Sequence, residues 1–243
     1  MGDGAFAIGP HLRGHVFLFE GARRPAHAQD AGARLLLAAL VLEGLRIAAT
    51  SWLPAGVPLW FLVPALLALT LLAVRAFVGI PLREIGLRPW SDWTTTERSY
   101  FLQVLVLANV VFPLVLAGPI RNRLAQPHVA WSLGNVFVPY LFFGFYQEVV
   151  YRGMVQSELV RRWGAPAGIL VANLLYTFGP LHLSTFRAPA STAIPMFAGI
   201  FAIGLLFGIL YRRSGNLWIV AVFHAIGNAY ILWSVNVASL TRR

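Results

Sequence analysis

The chain has 243 residues, 58 % of them hydrophobic and only 12 % charged, and its mean hydropathy is +0.69. Soluble domains carry about a quarter charged residues, so the composition is that of a membrane protein. The formal charge of +10 comes from 19 arginines, with no lysine, set against 9 acidic residues. The arginines lie between the apolar runs and the aromatics within them, a pattern of loops on anionic lipid rather than of a nucleic-acid groove. Without cysteine or lysine there is no thiol nucleophile, thiolate metal site, Schiff base or phosphate-loop lysine. Asp3, Asp30 and Asp92 all fall outside the apolar runs, which excludes a pair of intramembrane aspartates.

Residues 1–32 are polar, Gly-rich and broken by Pro10 and Pro25, and read as a cytoplasmic tail. Runs long enough to cross some 30 Å of hydrocarbon then recur at 33–53, 57–79, 99–118, 131–158, 165–183, 193–211 and 215–235. They predict an all-α, polytopic membrane bundle of about seven transmembrane helices over 33–235, followed by a short basic tail, 236–243. The tail arginines, the loop from Arg83 to Arg98, Arg161, Arg162, Arg212 and Arg213 share one side, which orients the N-terminus to the cytoplasm. Arginine-only basic usage and an Ala/Leu/Gly-rich composition suggest a GC-rich bacterial genome, hence a bacterial inner membrane. No internal repeat of the transporter kind is visible.

An ionisable side chain inside a span costs a few kcal/mol and asks for a reason. In the first span Glu43 and Arg46, three apart, can neutralise each other or pair with a neighbouring helix, a structural role. Arg75 can snorkel to the interface. The fourth span sets Gln147 and Glu148 side by side, with Arg152 one turn beyond Glu148 on the same face. The fifth ends at Phe178-Gly179-Pro180-Leu181-His182, and in the seventh His224 and Asn228 project from one face. If helices four, five and seven converge, Glu148, His182, His224 and Asn228 form one polar site able to activate water. Gly144, Gly153, Gly204, Gly208 and Gly227 would let those helices approach closely.

These residues resemble the CPBP family of intramembrane proteases, the CAAX prenyl endopeptidase and bacteriocin-processing type. The family's pattern is Glu-Glu-x-x-x-Arg, then Phe-x-x-x-His, then His-x-x-x-Asn or Asp. The chain has Gln147-Glu148-x-x-x-Arg152, Phe178-x-x-x-His182 and His224-x-x-x-Asn228 in that order. The stretches Leu82–Arg88 and Gly208–Asn228 are also similar, and the resemblance implies a protease core at about 131–230. It implies, too, that a Glu at position 147 would deprotonate a water with help from His182. His224 and Asn228 would then stabilise the oxyanion, with Arg152 orienting Glu148 and Phe178 in support.

Position 147 is Gln, an amide that cannot take a proton at neutral pH. An isosteric change in an otherwise intact constellation reads first as an inactivated enzyme, ahead of a natural non-catalytic member or of Glu148 taking over as base. No cofactor is favoured. Zinc is the alternative, with Glu148, His182 and His224 as ligands, although His-Glu-x-x-His is absent. The expected partners are the bilayer and a membrane-anchored or lipid-modified protein or peptide precursor, a bacterial C-terminal sorting tail ahead of a prenylated CAAX protein, and no nucleic acid. A small-solute transporter and a non-catalytic scaffold are the rivals. Seven full spans would put His182 and His224 at different depths, a conflict that a short fifth helix, broken near Pro180, would remove.

Overall fold

A computed structural model describes residues 5–7, 13–15, 29–52 and 58–234. Most of the expected tail 1–32 and all of the basic tail 236–243 lie outside the described residues. The fold is all-α apart from a small antiparallel pairing of β1 (Ala5–Ala7) with β2 (Arg13–His15). The helices are α1 (Gln29–Trp52), α2 (Leu59–Val78), α3 (Thr95–Val115) and α4 (Ala117–Leu124), then a helical run Val129–Phe178, then α7 (Ala190–Ser214) and α8 (Leu217–Ser234). Gly164, at φ 79° and ψ 168°, breaks the long run into α5 (129–163) and α6 (165–178).

Among the described residues five helical runs are long and apolar enough to cross a membrane: Leu59–Val78, Thr95–Val115, Val129–Phe178, Ala190–Ser214 and Leu217–Ser234. The sequence count of seven differs in two places: the run 33–53 falls in α1, which is not among these five, and the third of them is treated as two full spans although α6 is short. At ~1.5 Å per residue it covers roughly 20 Å, less than the ~30 Å of hydrocarbon. Gly164 turns the chain back on itself so tightly that a Cβ at Gly168 would meet the backbone of Val160. Such a turn needs positive φ, which glycine adopts without a Cβ penalty. After α6 the chain runs through a 3-10 segment, Pro180–Arg187, before α7 begins.

One end of the bundle is locked by the segment between α2 and α3. Leu217 N–H donates to Gly86 O at 2.9 Å, and the Tyr211 hydroxyl donates to Ile85 O at 3.0 Å. The buried Arg88 pairs with Glu97 and also reaches Ser214 O, while Asn216 Nδ2 donates to the same Glu97 carboxylate at 3.3 Å. Glu97 serves α3 as well, because it completes a capping box with Thr94. The similar stretches Leu82–Arg88 and Gly208–Asn228 are therefore two halves of one contact, which fixes the turn where α7 ends and α8 begins.

The core lies where α1, α5 and α8 meet, with Leu35, Leu42, Val149, Met154, Leu217 and Val220 all buried. Gly144 of α5 sits against α8 so closely that a Cβ there would lie 2.7 Å from Ala225 Cα. On α1, Glu43 pairs with Arg46 at 2.9 Å and accepts from the Tyr146 hydroxyl at 2.8 Å, the structural pairing to a neighbouring helix expected of it.

Gly144→Ala should destabilise the protein by about 1–3 kcal/mol, the cost of overpacking a tight contact. Gly118→Ala and Gly134→Ala, which have open space around them, should show no such loss in thermal unfolding in lipid nanodiscs. By the same measurement Glu97→Ala, which strands the buried Arg88, should cost about 3–5 kcal/mol.

Candidate active site

Gln147 and Glu148 are adjacent on α5, so their side chains diverge by about 100° around the helix and meet different residues of α8. The Glu148 carboxylate is fully buried, and its Oε1 lies 2.6 Å from His224 Nδ1. Gln147 Oε1 accepts from Asn228 Nδ2 at 3.1 Å. The one-turn spacing of His224 and Asn228 is thus matched to two neighbouring positions of α5, and the close approach at Gly144 allows both contacts at once.

Arg152, one turn after Glu148, brings Nε to 3.3 Å from Glu148 Oε2. The helix is π-helical over Val149–Gln156, a wide turn often found at functional sites. There Arg152 donates to Gly204 O at 2.9 Å and Gln156 donates to Gly208 O at 2.8 Å, both on α7. A Cβ at Gly204 would run into Asn173 Oδ1 and lie 3.0 Å from Arg152. Asn173, from α6, donates to Phe201 O at 2.9 Å. Side chains of α5 and α6 therefore hold α7 through its own carbonyls, a tie that lipid does not compete for.

His182 follows α6 in the 3-10 segment. About 16 residues, or some 24 Å of helix, separate Glu148 from Gly164 and Gly164 from Pro180, so the hairpin returns His182 to the level of the acidic pair. Its Nδ1 lies 3.0 Å from Tyr176 O. The Tyr176 ring stands between the two imidazoles, with centroids 5.2 Å from His182 and 6.0 Å from His224. Phe178 is not at this polar cluster. Its ring packs on Phe197 of α7 at 5.1 Å, and Phe186 packs on the same ring at 4.6 Å, so the two clasp the segment that carries His182.

The structure thus brings Glu148 to His224 and Arg152, brings Gln147 to Asn228, and sets His182 beside them across Tyr176. Sequence reasoning missed Tyr176 and Asn173, and it singled out Gly204 for close approach but not for the carbonyl that Arg152 takes. Asn173 left a signal as an amide inside an apolar run, whereas Tyr176 reads as one more packing aromatic. A zinc would have Glu148, His182 and His224 as donors, yet among the described residues no three His, Asp or Glu side chains form a metal-holding group. Glu148 and His224 face each other at hydrogen-bond distance, and the second carboxylate oxygen faces a guanidinium.

Neither the curated proteins nor the solved structures contain a match to the chain. Residues 129–230, which run from the start of α5 through Asn228, match the family model Rce1-like, the type II CAAX prenyl endopeptidases, in agreement with a CPBP-type intramembrane protease core.

Proposed function

We propose that the chain is an intramembrane endopeptidase held inactive by Gln147, and that with Glu at that position it hydrolyses a peptide bond near the membrane. The observation that carries the proposal is the double pairing of adjacent α5 residues with α8, Gln147 with Asn228 and Glu148 with His224. A carboxylate at 147 takes a proton from water, and the resulting hydroxide attacks the peptide carbonyl. Asn228 donates to the tetrahedral oxyanion, and His224 stabilises its charge when its Nε2 is protonated as well as its Nδ1. The C–N bond then breaks, and the amine leaves with the proton that the carboxylate had taken.

Glu148 is the anionic partner of His224 and Arg152 and not the base, because its oxygens face both of them. No metal takes part. The substrate is a membrane-anchored or lipid-modified precursor, a bacterial C-terminal sorting tail ahead of a prenylated CAAX protein. The protein lies in the bacterial inner membrane, with the arginine-rich end of the bundle in the cytoplasm. One observation favours a second reading, a non-catalytic scaffold: Gln147 is well paired by Asn228 as it stands.

Reconstitution with tailed precursors separates these readings. The chain as it is should leave the precursors intact, and Gln147→Glu should raise cleavage by about 10²–10⁴-fold, the contribution of a positioned general base, without sensitivity to chelators. Cleavage by both forms would move the base to Glu148, cleavage by neither would favour the scaffold, and stoichiometric zinc with chelator-sensitive cleavage would overturn the metal-free mechanism. In the Gln147→Glu form, Asn228→Ala should lower kcat by a further 10²-fold or so, the loss typical of one oxyanion donor.

A further inference from the structure

We infer that Tyr176 is the positioning residue of the site, fixing His182 through its main-chain carbonyl and His224 through its hydroxyl. A carbonyl oxygen can only accept, so the 3.0 Å contact with Tyr176 O puts a proton on His182 Nδ1. The lone pair of His182 is then on Nε2, the atom that would orient a water. For His224 the carboxylate of Glu148 at 2.6 Å holds the proton on Nδ1, and Nε2 faces the Tyr176 hydroxyl at 3.4 Å. A hydroxyl donates to a neutral imidazole nitrogen and accepts from a protonated one, so the same contact holds the ring in both states. Glu148, His224 and Tyr176 form a carboxylate–imidazole–phenol chain.

The ring of Tyr176 is itself held on several sides. It meets both imidazoles edge to face, at 84° and 85°, and the Tyr151 ring at a centroid distance of 5.4 Å. The guanidinium of Arg152 lies 4.3 Å from its centre, within cation–π range. Arg152 also pairs with Glu148, so one cation fixes the phenol and the carboxylate at opposite ends of the chain. Tyr176 is only 6 % exposed, which leaves its hydroxyl directed to His224 rather than to solvent or lipid.

The consequence for the imidazoles stands apart from the protease reading, and the kinetic consequence rests on it. In the full chain, labelled with ¹⁵N-histidine in nanodiscs and assigned through His182→Gln and His224→Gln, both histidines should carry their proton on Nδ1. Tyr176→Phe keeps the ring and the carbonyl, so it should shift the Nε2 resonance of His224 and leave His182 unchanged. Tyr176→Leu should disturb both. A His182 protonated on Nε2, or a His224 indifferent to loss of the hydroxyl, would overturn the inference. In the Gln147→Glu form, Tyr176→Phe should lower kcat about tenfold, the kinetic equivalent of one hydrogen bond, with KM unchanged and one limb of the pH–rate profile displaced. A slower enzyme with an undisplaced profile would mean a merely structural role. If no Gln147→Glu protein cleaves any precursor, the protease reading falls, and the ¹⁵N result still decides the role of Tyr176.

Discussion

A carboxylate with no exposed surface inside an apolar bundle must find its partners within the protein, and Glu148 finds them in two other residues. Arg152 comes from its own helix and His224 from α8. The second contact requires α5 and α8 to lie almost backbone to backbone, which the missing side chain at Gly144 permits. The first leaves further donors on Arg152, one of which takes the Gly204 carbonyl of α7. Satisfying a single buried charge therefore recruits α5, α7 and α8, and the polar site and the helix packing are one construction.

Depth is set by a different device. A full-length fifth span would carry His182 past Glu148 to the far side of the membrane. Gly164 reverses the chain about 16 residues beyond the acidic pair, and the nearly equal lengths of chain on either side of that turn restore His182 to the right level. The clasp of Phe178 and Phe186 on Phe197 holds the segment once it arrives. A second turn at Gly215 and Asn216 serves α7 and α8 in the same way. It is anchored by Glu97 and by the Gly86 carbonyl rather than by local sequence alone.

Much of this is legible in the letters because membrane insertion makes polar residues conspicuous. Glu43 with Arg46, Glu148 with Arg152, and His182 and His224 stand out against apolar runs, and the spacings of the helical ones name the faces on which they lie. Apolar length also locates the helices, since a helix must satisfy its own backbone groups in lipid. What escapes is whatever depends on backbone conformation or on distant partners. Gly164 falls in the short loop between the fourth and fifth runs, but the run 165–183 continues past Phe178 into the 3-10 segment, so α6 reads as a full span. Gly204 is legible as a close-approach glycine, but the carbonyl by which it takes Arg152 is one that every residue possesses. Tyr176 is inconspicuous among aromatics that pack, and its hydroxyl acquires meaning only when α8 places His224 opposite. Phe178 belongs to the motif in the sequence but supports the site from a neighbouring contact.

The direct contact between α5 and α8 at Glu148 and His224 can be measured as a coupling. Unfolding free energies in lipid for Glu148→Gln, His224→Gln and the double variant close a mutant cycle whose interaction energy belongs to that pair. A coupling of about 1–3 kcal/mol is expected for a buried hydrogen bond to a charged group. Additive effects of the two substitutions would mean that the pair is not in contact, and the site described here would not exist.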